Sequence, residues 1–87
     1  MSSIKVTYNG ETKKVRKPNS FVELVKAVNM TFSELPNVFK FTYVDEEGDE
    51  ITVTSEEDFQ EAVGFMGAKL KLSIEPRQDM SYNMSQM

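Results

Sequence analysis

Between Asp45 and Glu61 the chain carries nine acidic residues and no basic one: Asp45, Glu46, Glu47, Asp49, Glu50, Glu56, Glu57, Asp58 and Glu61. Carboxylates at alternate positions around Gly48 suggest calcium first, because a hard cation takes several oxygens at fixed offsets. Laid on a twelve-residue EF-hand loop, Asp45, Glu47 and Asp49 occupy positions one, three and five, and Glu56 falls at twelve. The match fails at position six, where the sharp turn needs glycine and the chain has Glu50. It also fails in its flanks, which read as a strand before and a strand plus helix after rather than a helix on both sides. A carboxylate pair for acid–base hydrolysis is the next candidate. That chemistry needs two carboxylates across an enclosed cleft, one with a raised pKa, and a crowded acidic turn offers no apolar pocket to raise one. The chain has no histidine and no cysteine. It therefore lacks the usual general base, the usual zinc ligand and a thiolate nucleophile. Nor is there a glycine-rich phosphate loop. We read the chain as non-enzymatic, with no cofactor and no metal.

The second group of chemically capable residues is basic. From Lys5 to Lys17 there are five cations, Lys5, Lys13, Lys14, Arg16 and Lys17, against one acid, Glu11. Phosphate binding wants many cations on one face, usually with stacking aromatics or a groove-reading helix. Here the cations fall on a hairpin and the helices are neutral or acidic, so nucleic acid is not the expected partner. The net charge of −4 hides this sorting, which sets up two local potentials of opposite sign.

The elements that position these groups follow from periodicity. Ile4 to Tyr8 alternates as a half-buried strand. Asn9-Gly10 favours a tight hairpin turn, and a second strand over about 12–17 points Val15 inward and Lys14 and Arg16 to the other face. Pro18 ends the pairing. Ser20 with Glu23 forms a capping-box signature, and Phe21, Leu24, Val25 and Val28 make one apolar stripe. Pro36 and Asn37 break the helix, residues 38–43 read as a strand, and Ile51-Thr52-Val53 is a short strand after the acidic turn. Ser55 and Asp58 cap a second helix with Phe59, Ala62, Val63 and Met66 on its apolar side. Leu70, Leu72 and Ile74 alternate in a last strand. The order ββαββαβ, two helices on a mixed sheet, predicts an α+β roll.

Eighty-seven residues fit one domain. No apolar run approaches the ~20 residues that cross a bilayer, and the start Met-Ser-Ser-Ile-Lys has no signal-peptide apolar block, so no membrane association and a cytoplasmic location are expected. The reading assigns residues 1–75 to an interaction domain. It assigns 76–87, polar and with Met80, Met84 and Met87 set among Ser, Asn and Gln, to a flexible tail.

The stretch from Phe41 to Val63 resembles the acidic OPCA signature of the Phox-and-Bem-one (PB-one) interaction domains. An aromatic residue precedes a run of acids around Gly48, then a short apolar strand, then Ser55-Glu56-Glu57-Asp58. Lys5 in the first strand, and Lys13-Lys14 before Val15 in the second, resemble the basic cluster of the same family. The resemblance spans about 3–75. It implies a ubiquitin-like β-grasp fold and a protein-binding function, in which the acidic face of one molecule docks front to back on the basic cluster of another PB-one-type domain. It assigns Asp45, Glu47, Asp49, Glu56, Glu57 and Asp58 to the acidic face and Lys5, Lys13, Lys14 and Arg16 to the basic one. A chain with both faces forms heterodimers or homo-oligomers, as in scaffolding and signalling. Two departures stand out: Lys13-Lys14 where arginines are common, which lacks the bidentate guanidinium fork, and Glu47 where aspartate is frequent. The alternatives are a ubiquitin-like adaptor that binds through an apolar patch of its sheet and, behind it, a calcium-binding acidic loop. A conjugated modifier would need a Gly-Gly end, and this sequence closes on Ser-Gln-Met.

Overall fold

The computed structural model describes residues 3–77. The elements are β1 (Ser3–Tyr8), β2 (Glu11–Arg16), α1 (Phe21–Thr31), β3 (Phe39–Val44), β4 (Glu50–Val53), α2 (Glu56–Met66) and β5 (Lys71–Pro76), with a 3-10 turn at Gly67–Lys69. The order is the expected ββαββαβ.

Local sequence explains most of these boundaries. Asn9 and Gly10 both adopt left-handed backbone, with φ of 53° and 82°, the geometry that lets a two-residue loop follow the twist of its strands. The Ser20 hydroxyl accepts the Glu23 N–H and the Ser55 hydroxyl accepts the Asp58 N–H, so both expected caps form. Glu23 also reaches back to the Asn19 N–H at 2.9 Å.

The five strands form one sheet in the order β2-β1-β5-β3-β4. β1 runs parallel to β5, while β1–β2, β3–β5 and β3–β4 are antiparallel. Strand alternation sends Ile4, Val6, Val15, Phe41, Val53, Leu72 and Ile74 to one side, where they bury against Leu24 and Val28 of α1 and Phe59 and Ala62 of α2. Phe21 and Phe39 pack edge-on against Phe41, with ring centroids 5.9 and 5.5 Å away. Burying a side chain such as Phe41 contributes about 1.5–3 kcal/mol. Both helices therefore cover one face, and the other face of the sheet stays open.

Some boundaries differ from expectation by a residue. β3 runs from Phe39 through Val44. Leu70 stands outside β5 because its N–H closes the 3-10 turn on the Gly67 carbonyl, while its own carbonyl accepts the Lys5 N–H. Pro76 belongs to β5 rather than to a tail, and the Arg77 N–H bonds the Val38 carbonyl at 3.0 Å. The rest of the expected tail, with Met80, Met84 and Met87, lies outside the described residues.

Candidate functional site

The basic residues divide between two surfaces. Ile4 pairs with Val15 and Val6 with Lys13, whereas Lys5 pairs with Lys14 and Ser3 with Arg16. Because successive side chains alternate, Lys5, Lys14 and Arg16 project from the open face of the sheet. All three are exposed. Lys13 projects to the helix side. Its ammonium donates to the Thr31 carbonyl at 3.0 Å, lies 5.2 Å from the centre of the Phe32 ring, and stands 3.9 Å from Glu11. It thus caps the C-terminal end of α1, where a cation is favoured by the helix dipole. The structure brings Lys5, Lys14 and Arg16 together and separates Lys13 from them.

The acidic residues divide by task. Asp45 is half-buried, and its Oδ1 accepts the N–H groups of Glu47 and Asp49, both at 2.9 Å. The Asp45 N–H meets the Asp49 carbonyl, and Gly48, with φ of 87°, supplies the left-handed residue that the turn needs. This closed turn holds carboxylate oxygens of Asp45, Glu47 and Asp49 within 4.8 Å of one another. Glu56 does not join them as a twelfth loop position would. Its Oε1 accepts the Phe21 N–H at 2.7 Å and its Oε2 the Gln60 amide at 2.6 Å, so it ties the start of α2 to the start of α1. The Gln60 bond first, and the Phe21 bond second, hold its carboxyl below the usual 4.5. Asp58 accepts the Thr54 N–H at 3.1 Å. Among the described residues, Asp45, Glu47, Asp49 and Glu57 keep carboxylate oxygens free of such ties. Tyr43 registers the field beside the turn: burial raises its phenol pKa above 10.0, and Asp45, Glu61 and Asp58 raise it further.

The two groups occupy opposite edges of the sheet, the cations on the β2–β1 side and the acidic turn between β3 and β4. Among the described residues the one ion pair is Lys13–Glu11, so no intramolecular pair neutralises Lys5 or Lys14 against Asp45, Glu47 or Asp49. A family model for the PB1 domain matches residues 2–77. The chain belongs to the PB1 domain family. PB1 domains are protein–protein interaction modules rather than enzymes. Among solved structures, the chain is similar to the AtNBR1-PB1 domain, with a TM-score of 0.75 and 16% identity over 87% of this chain and 97% of that one. It is also similar to the subunit of an AtNBR1-PB1 filament (L-type) determined by cryo-EM, with a TM-score of 0.71 and 20% identity over 85% and 94% of the two chains. At these identities the likeness shows the ubiquitin-like PB1 fold. Among curated proteins, no sequence matches.

Sequence reasoning missed Lys71. It lies in register beside Lys5 across the parallel β1–β5 pair, exposed on the same face as Lys14. The signal was present, since the alternation of Leu70, Leu72 and Ile74 sends Lys71 outward and a β-grasp order sets the last strand beside the first. Phe65, an exposed aromatic next to Asp45 and Glu61 in a shallow dent, was missed as well, because it stands off the apolar stripe of α2.

Proposed function

We propose that this PB1 domain self-associates front to back, the 45–49 turn and Glu57 of one molecule engaging the lysines on the open sheet face of the next. The observation that carries the reading is the separation itself: strand order puts the cations and the acidic turn on opposite edges, and no ion pair between them cancels either group among the described residues. A patch at one edge that complements a different patch at the other makes a heterologous contact, which propagates into chains or closes into rings. The family's role as an interaction module and the existence of a filament built from a similar domain support the same reading. Other PB1-type domains with one of the two faces are the natural heterotypic partners. The open face of the sheet offers lysines, hydroxyls and the carboxylates of Glu50 and Glu75, with Val44 as an exposed apolar side chain, which favours docking led by charge over an adaptor led by apolar contact.

Contacts made of several ion pairs form quickly and weaken with salt, because screening acts over about 10 Å at 0.1 M ionic strength. Light scattering across a salt series is expected to show oligomers at low salt that shrink as salt rises. Lys5→Ala and Asp45→Asn should each be monomeric alone and form a one-to-one dimer when mixed, since each keeps one working face. A wild type that stays monomeric at every salt and at high concentration, or a mixture that gives no heat in calorimetry, overturns the proposal.

A further inference from the structure

We infer that the basic docking face is a lysine row across three strands, Lys14–Lys5–Lys71, and that it receives the acidic 45–49 turn of a second copy of this chain. This rests on the front-to-back reading and deepens it. It adds Lys71, distant in sequence, as a third docking cation, and it removes Lys13.

The row follows from register. Lys14 stands directly opposite Lys5 on β2, and Lys71 stands beside Lys5 on β5. With strands spaced about 4.8 Å apart, the three stems span about 10 Å. All three are exposed, on the same face, with no ion pair to an acid among the described residues. Like charges placed directly across a strand pair destabilise a sheet, so the lone molecule holds a repulsion that an incoming carboxylate cluster relieves.

The surface beside the row is also rich in donors. Thr12–Thr7, Thr7–Ser73, Ser73–Thr42 and Thr42–Thr52 are successive register partners, so one line of hydroxyls crosses all five strands on the open face. Thr7 and Thr12 share a 2.8 Å bond. Lys5, Lys14, Lys71, Thr7 and Ser73 line a single open trough, together with Lys69 and the apolar side chains of Val44 and Met66. Its one carboxylate, Glu50, stands on the edge strand β4 opposite Val44. A trough of ammonium and hydroxyl donors suits an occupant that only accepts. The 45–49 turn is such an occupant: its three carboxylates gather within 4.8 Å, about one strand spacing. Lys13 takes no part because the Thr31 carbonyl and the Phe32 ring already hold its ammonium on the other side of the sheet.

The test pairs two forms of the full chain in calorimetry at low salt. One carries Lys5→Glu and offers only its acidic turn; the other carries Asp45→Asn and offers only its lysines. Into the second form go Lys5→Ala, Lys71→Ala, Lys71→Arg or Lys13→Ala, each checked by thermal melting. Lys5→Ala and Lys71→Ala are each expected to weaken binding about thirtyfold or more, the loss typical of removing one partner of a docking charge pair. Lys71→Arg should restore it, and Lys13→Ala should leave it within about twofold. Lys71→Ala should melt no lower than its parent, since it removes a like charge. If Lys5→Ala weakens binding while Lys71→Ala does not, or if Lys13→Ala weakens it tenfold, the three-strand row is wrong and the front-to-back reading stands. If the parent pair gives no heat, or Lys5→Ala changes nothing, both fall together.

Discussion

In the proposed contact Asp45 has two jobs for one carboxylate, and the two can be separated. Its Oδ1 accepts two backbone N–H groups that close the turn, while its charge is what a partner's ammonium would meet. Asn keeps the accepting oxygen and drops the charge, whereas Ala drops both. Asp45→Ala is therefore expected to lose about 1 kcal/mol or more of stability relative to Asp45→Asn, because the N–H groups of Glu47 and Asp49 lose their acceptor. Both should lose docking equally, as measured by urea denaturation beside a binding titration. Equal stability of the two variants would show that the turn closes without this side chain. The acids around Gly48 were legible as a site because their spacing is local. That Lys13 and Lys14 face opposite ways was legible too, since neighbours on a strand always do. Where the Lys13 ammonium goes was not, because the Thr31 carbonyl that holds it comes from another element.

At the scale of elements, Glu56 is a clip. It opens α2, yet it accepts the Phe21 N–H of α1, so one carboxylate orders the starts of both helices. Its pKa is lowered in the folded state by the Gln60 and Phe21 bonds. A depressed carboxyl contributes stability that is fully present above its unfolded value, near 4.5, and lost as the pH falls through its folded value. Glu56→Gln is thus expected to be less stable than the wild type at pH 7, with the gap closing below pH 4.5, in thermal melts across that range. A gap that persists unchanged into acid would assign the loss to something other than the charge. The caps at Ser20 and Ser55 and the Asn9-Gly10 turn were readable because each depends on three or four consecutive residues. The Glu56–Phe21 contact joins residues 35 positions apart and leaves no local pattern, so from sequence Glu56 read simply as one more acid of the docking face.

At the scale of the molecule, a domain with one acidic and one basic face has a direction. Every front-to-back chain built from it ends in one unused acidic turn and one unused lysine row, and a subunit with a single working face ends growth. A small fraction of Asp45→Asn added to wild type at low salt is therefore expected to shorten the oligomers in proportion to the amount added, as read by sedimentation. Oligomers of unchanged length would mean that growth does not depend on the acidic face. The mixed sheet and its element order were foreseen from alternation, turn residues and the PB-one resemblance together. The full lysine row was missed although its parts were there, because Lys71 becomes a neighbour of Lys5 only once the β-grasp pairing of the first and last strands is applied to the outward-facing residues.

That pairing also sets a timetable. β5 sits between β1 and β3 and is the one strand that touches both the β1–β2 and the β3–β4 hairpins. Until residues 71–76 have left the ribosome, nothing joins the two halves into one sheet, and the third lysine of the row does not yet exist. A nascent chain can display its acidic turn early, but it completes its lysine row only when the domain closes.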